Sequence, residues 1–168
     1  MEIRITKGDI TKCEVDAIVN AANKELRSGS GVCGAIFEAS GHYEELQREC
    51  YSKGPIKTGE AAITNGYDLK AKYIIHAVGP KYFLCNNDIE AEELLSKAYI
   101  SSLKLADSYN LKSIAFPSIS TGVYGYPIDK ACKVALKTIK EYKPTSLELV
   151  VIVCFDGNTY NEYIKNAQ

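Results

Sequence analysis

The residues with the densest chemical potential form one stretch, residues 19–34, which reads V-N-A-A-N-K-E-L-R-S-G-S-G-V-C-G. An apolar, β-branched run ends in Asn20 and Asn23, which flank two alanines, and a glycine-spaced loop then opens a helix. Asparagine offers both a donor and an acceptor, and glycine lets backbone approach a ligand closely. A helix start adds unpaired N–H groups and the positive end of the helix dipole. Such a set suits a phosphate-bearing ligand with hydroxyls to be read.

Three further segments could join it. Ser120-Thr121-Gly122-Val123-Tyr124-Gly125 supplies hydroxyls, backbone donors and a ring able to cover a sugar; the competing reading is a glycine-rich turn with Tyr124 packed on the core. Asp9 is acceptor-only when ionised and suits an exocyclic amine such as that of adenine, whereas an isolated Gly-Asp often bonds its own backbone in a turn. Phe155 could stack on a base or serve as an ordinary core aromatic. His76 lies in an apolar strand and reads as structural, and His42 reads as an exposed residue at a helix junction. Cys33 falls near a helix start that could activate a thiol, but no histidine is placed by sequence to serve it, so a packed small residue is the better reading.

These residues need elements to hold them. Ile3 and Ile5 alternate with charges and predict a strand that stops at Lys7-Gly8-Asp9. Further strands are predicted at 17–19, 61–64, 73–78, 113–116 and 147–154. Helices are predicted at 43–51, 90–109 and 158–165, and from Asp129, as a cap, to Tyr142, while residues 35–39 continue the helix that the glycine loop opens. The alternation in the later half argues for a largely parallel sheet covered by helices. Residues 85–88 are expected to form a mobile loop. In such sheets, ligands sit beyond the carboxyl ends of strands, where the Asp9, Asn23, Ser120 and Phe155 segments all fall.

Composition bounds the remaining options. The 168 residues suffice for one well-buried domain, expected to span 1–168, and 46% apolar with 24% charged residues is ordinary for a globular chain. Twenty basic residues against 21 acidic ones argue against a broad face for nucleic acid or membrane. Six scattered cysteines lack any C-x-x-C pair, so neither a disulfide framework nor a metal site is expected. No cofactor is expected either. With no secretory apolar run at the N-terminus and none long enough to span a bilayer, a cytoplasmic monomer is expected.

Gly29-Ser30-Gly31-Val32-Cys33-Gly34 satisfies G-x-G-x-x-G, the dinucleotide fingerprint. That fingerprint needs a strand leading straight into its first glycine, followed by an acidic residue closing the next strand. Eight residues intervene here, and helical sequence follows. The Rossmann reading fails.

Taken together, the chain resembles the macro domain family, and most closely its bacterial ADP-ribosyl-ester and O-acetyl-ADP-ribose hydrolases. The motifs that carry the resemblance are Gly8-Asp9-Ile10-Thr11, Val15-Asp16-Ala17-Ile18-Val19-Asn20-Ala21-Ala22-Asn23, Thr58-Gly59-Glu60-Ala61, Ile75-His76-Ala77-Val78-Gly79-Pro80 and Ala115-Phe116-Pro117-Ser118-Ile119-Ser120-Thr121-Gly122-Val123-Tyr124-Gly125-Tyr126-Pro127. They occur in the family's order across nearly the whole chain.

The resemblance implies a three-layer α/β/α sandwich around a mixed, largely parallel sheet, with ADP-ribose or an ADP-ribosylated protein as partner. It implies that Asp9 holds the adenine amine, Ile10 touches the ring by its backbone, and Phe155 stacks near adenine. Asn23 would bond the distal ribose while Asn20 pins the loop internally. Gly31, Val32 and Cys33 would clamp the diphosphate together with Ser120, Thr121, Gly122 and Val123, and Tyr124 would cover the distal ribose. Catalysis would rest on Asn23, Gly122 and Tyr124, with Cys33 at the position where many hydrolytic members carry aspartate. Many of those members also have histidine where Phe37 stands, although hydrolytic viral members lack the aspartate. Two functions follow as expectations: hydrolysis of ester-linked ADP-ribose, or non-catalytic reading of ADP-ribose. Turnover separates them.

Overall fold

The computed structural model describes residues 1–168. Six strands form one sheet in the order β1-β6-β5-β2-β4-β3, comprising β1 (Glu2–Lys7), β2 (Ala17–Ala21), β3 (Ala61–Asn65), β4 (Tyr73–Ala77), β5 (Ser113–Phe116) and β6 (Leu149–Cys154). Every pairing is parallel except that of β3 with β4. The sheet is therefore mixed and largely parallel, as the alternation of strands and helices predicts.

Five helices cover it: α1 (Gly31–Ala39), α2 (Tyr43–Lys53), α3 (Asp88–Ser108), α4 (Ile128–Glu141) and α5 (Gly157–Ala167). Successive strand residues point to opposite faces, and both faces are buried. Ala17, Val19, Ile114, Phe116, Val150 and Ile152 join the core that includes residues of α3, α4 and α5. Ile18, Ile74, Ala115 and Val153 join the smaller core beneath α1 and α2. This is an α/β/α sandwich.

The first helix starts at Gly31, so the glycine-spaced segment that the sequence reads as opening it forms its first turn. Glycine is a poor helix former, and the packing of Ile36 and Phe37 in the smaller core outweighs that preference. Asp129 does not cap α4; Pro127 occupies the cap position and Asp129 sits inside the first turn, where its charge faces the helix dipole. Residues 85–88 are tied down instead of loose. Cys85 N–H donates to Tyr82 O, Asn87 caps α3 through Glu90 N–H, and Asp88 pairs with Lys130 at 2.8 Å.

One carboxylate fastens the end of the sheet opposite the candidate site. Asp107 accepts from Tyr142 OH, from the N–H groups of Thr145, Ser146 and Leu147, and from Ser146 Oγ. These bonds outweigh burial and hold its pKa down at about 2. Asp107→Ala leaves several donors without an acceptor in the turn before β6. We expect it to lower unfolding free energy by about 2–3 kcal/mol in urea titration at neutral pH. A loss below ~0.5 kcal/mol would refute this role for the carboxylate.

Candidate functional site

Chain direction locates the site. From β2 the chain passes to α1 and α2 on one face and continues toward the β3 edge. From β5 it passes to α4 on the other face and returns toward β6 and the β1 edge. A crevice therefore opens between the carboxyl ends of β2 and β5, the switch point at which open α/β sheets bind ligands. The 22–34 loop forms one wall and the 117–127 loop forms the other.

On the first wall, Asn23 brackets its own loop: Oδ1 accepts from Arg27 N–H at 2.9 Å and Nδ2 donates to Arg27 O at 2.8 Å. One Nδ2 hydrogen and one Oδ1 lone pair remain uncommitted. The loop then folds tightly onto α1, because a Cβ on Gly34 would lie 2.6 Å from Gly29 O. Gly31 itself takes φ +60°, a conformation suited to glycine. The N–H groups of Gly31, Val32 and Cys33 have no partner within the protein, and Ser30, at the cap position, provides no side-chain acceptor. The positive end of α1 is thus open.

The second wall offers the same chemistry by a different route. The N–H groups of Ser120, Thr121, Gly122, Val123 and Tyr124 also lack partners within the protein. Their hydroxyls are turned inward, contrary to the expectation that they would face a ligand. Thr121 Oγ1 donates to Ser118 O, and Ser120 Oγ is buried without a partner, against the bare α-carbon of Gly79. A Cβ on Gly79 would lie 2.2 Å from that hydroxyl, so glycine is required there. Ser120 holds φ 69°, a strained left-handed conformation that turns the loop. Loop closure comes from Tyr126 N–H to Ser120 O and Gly125 N–H to Gly122 O. What remains outward is a run of backbone donors, a nest for an anion.

Tyr124 lies on the second wall, half-buried. Burial, together with Glu25 and Cys33 from the opposite wall, pushes its phenol pKa up. Lys81 Nζ stands 5.5 Å from the ring centroid, and Tyr124 O accepts from Tyr82 N–H. Lys81 and Glu25 were not singled out from sequence. Lys81 directly follows the Gly79-Pro80 motif, a weak signal that no periodicity distinguishes.

At the far end, Gly8 N–H donates to Cys154 O and brings the ends of β1 and β6 side by side. Asp9 caps a short 3-10 turn (Ile10–Lys12), accepting at Oδ1 from Thr11 N–H and Oγ1. Both sequence readings of Asp9 are compatible with this geometry, because Oδ2 is left free on an ionised carboxylate whose pKa those bonds lower. Ile10 is buried beneath it. Phe155 is no core aromatic: it is 82% exposed, one residue before Asp156, which caps α5.

Behind the first wall lies a buried polar chain. Thr64 Oγ1 and Asn20 Nδ2 contact His76 Nε2 and Nδ1 at 2.8 and 3.0 Å, and Cys50 Sγ lies 3.6 Å from Nε2. Burial lowers the His76 pKa to about 3, so the ring is neutral. Its structural role is as expected. Asn20 Nδ2 also reaches Cys33 Sγ at 3.5 Å, so Asn20 pins the loop from within. Burial raises the Cys33 thiol pKa, with only partial opposition from Asn20. The thiol is therefore protonated at neutral pH and is no activated nucleophile. His42 is exposed and lies between Glu45 and Asp68.

Elsewhere, a polar depression of about 520 Å³ between α4 and α5 is lined by Asp129, Lys133, Glu162 and Lys165 among others. None of the predicted site residues lines it. All six cysteines are free, and no helix is long and apolar enough to cross a membrane.

A mixed, largely parallel sheet covered by helices, with two loops of unpartnered backbone donors at its switch point, places this chain in the class of three-layer α/β/α proteins. Its family is specific. The Macro domain family profile matches residues 19–135, and the chain belongs to that family. It is 52% identical over 165 residues to an uncharacterized protein of Fusobacterium nucleatum, covering 96% of this chain and 91% of that one. It is 44% identical to O-acetyl-ADP-ribose deacetylase 1 of Pantoea vagans, covering 98% and 97% respectively. Among solved structures it is similar to an Oceanobacillus iheyensis macrodomain variant with ADP-ribose, at a TM-score of 0.89 and 42% identity, covering 97% and 90%. A Trypanosoma brucei macrodomain in complex with ADP-ribose matches at a TM-score of 0.87 and 38% identity, covering 99% of this chain and 69% of that one.

Proposed function

We propose that this protein binds ADP-ribose across the crevice and hydrolyses ester-linked ADP-ribose, either on modified Asp or Glu side chains or as O-acetyl-ADP-ribose. The observation that carries this reading is the pair of facing loops whose backbone N–H groups, at 31–33 and 120–124, have no partner within the protein. Two phosphates of a diphosphate match two such donor sets, with Lys81 the nearby cation. Asp9 and Phe155 lie at the β1–β6 end for adenine, and Asn23 and Tyr124 lie at the opposite end for the distal ribose. Similarity to a deacetylase and to ADP-ribose-bound macrodomains supports the same assignment.

In this reading water adds across the ester, releasing ADP-ribose and the free carboxylic acid. Asn23 orients the distal ribose, the backbone at Gly122 holds the neighbouring phosphate, and Tyr124 closes over the sugar. The attacking water sits between ribose and diphosphate, so catalysis is chiefly positioning. Release of ADP-ribose from a protein modified on acidic residues, and of acetate from O-acetyl-ADP-ribose, measures the activity directly. Absence of turnover with ligand binding intact overturns hydrolysis.

Cys33 favours a second reading, a non-catalytic reader. A neutral, buried thiol is a poor acceptor and cannot serve as a general base. Cys33→Asp introduces a carboxylate where many hydrolytic relatives have one. On the hydrolase reading, turnover should rise by no more than about tenfold, because positioning already supplies the rate. A rise from undetectable to robust turnover identifies the natural chain as a reader.

A further inference from the structure

The five most exposed large apolar side chains are Phe83, Leu84, Ile89, Val123 and Phe155, at 65%, 69%, 70%, 82% and 82%. All follow the carboxyl ends of β4, β5 or β6, at the same end of the sheet as the crevice. Exposed apolar residues scattered singly need no explanation, but a set gathered at one end of a sheet does. Val123 and Phe155 belong to the proposed ADP-ribose site. Phe83, Leu84 and Ile89 do not.

The backbone beneath these three is fixed. Tyr82 N–H donates to Tyr124 O at 2.9 Å, and the Tyr82 ring packs 4.8 Å from that of Tyr126. Leu84 N–H and Cys85 N–H close a 3-10 turn onto Lys81 O and Tyr82 O. Asp88 accepts from Tyr82 OH at 2.6 Å and from Lys130 Nζ at 2.8 Å. Phe83 abuts the second wall, since a Cβ on Gly125 would lie 3.7 Å from its ring. Apolar side chains held out on a stiff platform lose little entropy when covered, which favours docking.

The platform continues directly from Tyr124, the residue proposed to cover the distal ribose. Whatever is joined to that ribose leaves the crevice there. An acetyl group adds only two carbons there, whereas a polypeptide extends beyond Tyr124, to which the turn bearing Phe83 and Leu84 is bonded. We propose that Phe83 and Leu84 form a docking surface for the polypeptide that bears the ADP-ribose, gripping apolar side chains beside the modified residue. This rests on the proposed ADP-ribose site and narrows its substrate class to protein conjugates.

Two peptides of equal length, each carrying ADP-ribose on a central glutamate through a hydrolysis-resistant linkage, provide the test. One has leucine and phenylalanine beside the glutamate, and the other has serines. Calorimetry should give about tenfold tighter binding of the apolar peptide to the natural protein, the effect of covering one side chain. In the double variant Phe83→Ser/Leu84→Ser that ratio should fall to near one, with free ADP-ribose bound as before. Equal affinities in the natural protein, or a ratio that survives the substitutions, overturns the docking surface while leaving the ADP-ribose site standing. Failure of free ADP-ribose to bind the natural protein overturns the proposed function and the docking surface with it. A dimer in sedimentation that the double variant dissociates identifies a self-association face and also overturns the proposal.

Discussion

Acidification from pH 6.5 to 3 should cost this protein about 4–5 kcal/mol of stability through His76 alone. The imidazole is fully buried, and burial lowers its pKa from 6.5 to about 3. Its contacts are Asn20, Thr64 and Cys50, with no carboxylate among them to welcome a proton. Within that window the unfolded chain binds a proton that the folded chain refuses, so stability falls as pH falls. The contribution is fully present above pH 6.5, and below about 3 the slope from this group vanishes. Asp107 acts in a lower window that overlaps only the end of this one, losing its contribution as pH falls from 3.8 toward about 2. Urea unfolding at pH 7, 5 and 4 tests this against His76→Gln, which cannot titrate. The natural protein should lose about 2 kcal/mol more than the variant between pH 7 and 5. Parallel losses in the two proteins would rule His76 out as the acid-sensitive group.

The second large effect is expected at Asn23. Asn23→Ala should lower kcat/KM for ester-linked ADP-ribose by about 10²–10³-fold, because the residue is proposed to orient the reacting ribose. The change also removes the two bonds to Arg27, so the loop loses its local brace. That loop is largely exposed, and removing a surface brace changes stability by ~1 kcal/mol or less. Activity and stability should therefore separate. Thermal unfolding within a few degrees of the natural protein, together with the kinetic loss, supports a role at the ribose. Full activity in the variant removes Asn23 from the site, and collapse of the fold would make it a structural residue.

The polar chain links these two expectations. Asn20 and Asn23 lie three residues apart with different tasks: Asn20 is buried and tied to His76 and Cys33, while Asn23 is half-buried in a largely exposed loop. Thr64, His76 and Asn20 brace the wall from β3 through β4 and β2 to the first turn of α1. The crevice loop is thus supported from the sheet interior, which suits a site whose chemistry is positional.

Much of this was legible in the sequence because it depends on local rules. Continuous apolar runs such as Leu149–Cys154 mark strands buried on both faces. Their alternation with helices implies parallel pairing, and the ordered motifs identify the family. The Asn and glycine spacing marked the loop after β2, and Asp9, Asn23 and Tyr124 all lie on segments at one end of the sheet. Residues 85–88 were misread for a physical reason. Asp88 is fixed by Lys130, 42 positions away, and no local pattern contains that partner.

Tertiary structure alone decided how the loops present their atoms. The sequence showed hydroxyls at Ser120 and Thr121, but the fold turned them inward and left backbone N–H groups outward, because Gly79 makes room for Ser120. It also fixed the state of Cys33, since burial beside Asn20 keeps the thiol protonated. Composition could not say whether Phe155 was core or surface, nor that Phe83 and Leu84 would stand exposed on a turn tied to Tyr124. Residue types and periodicity determine which elements form and what chemistry they carry. Which atoms face the crevice depends on contacts between residues far apart in the chain, and those exist only once it has folded.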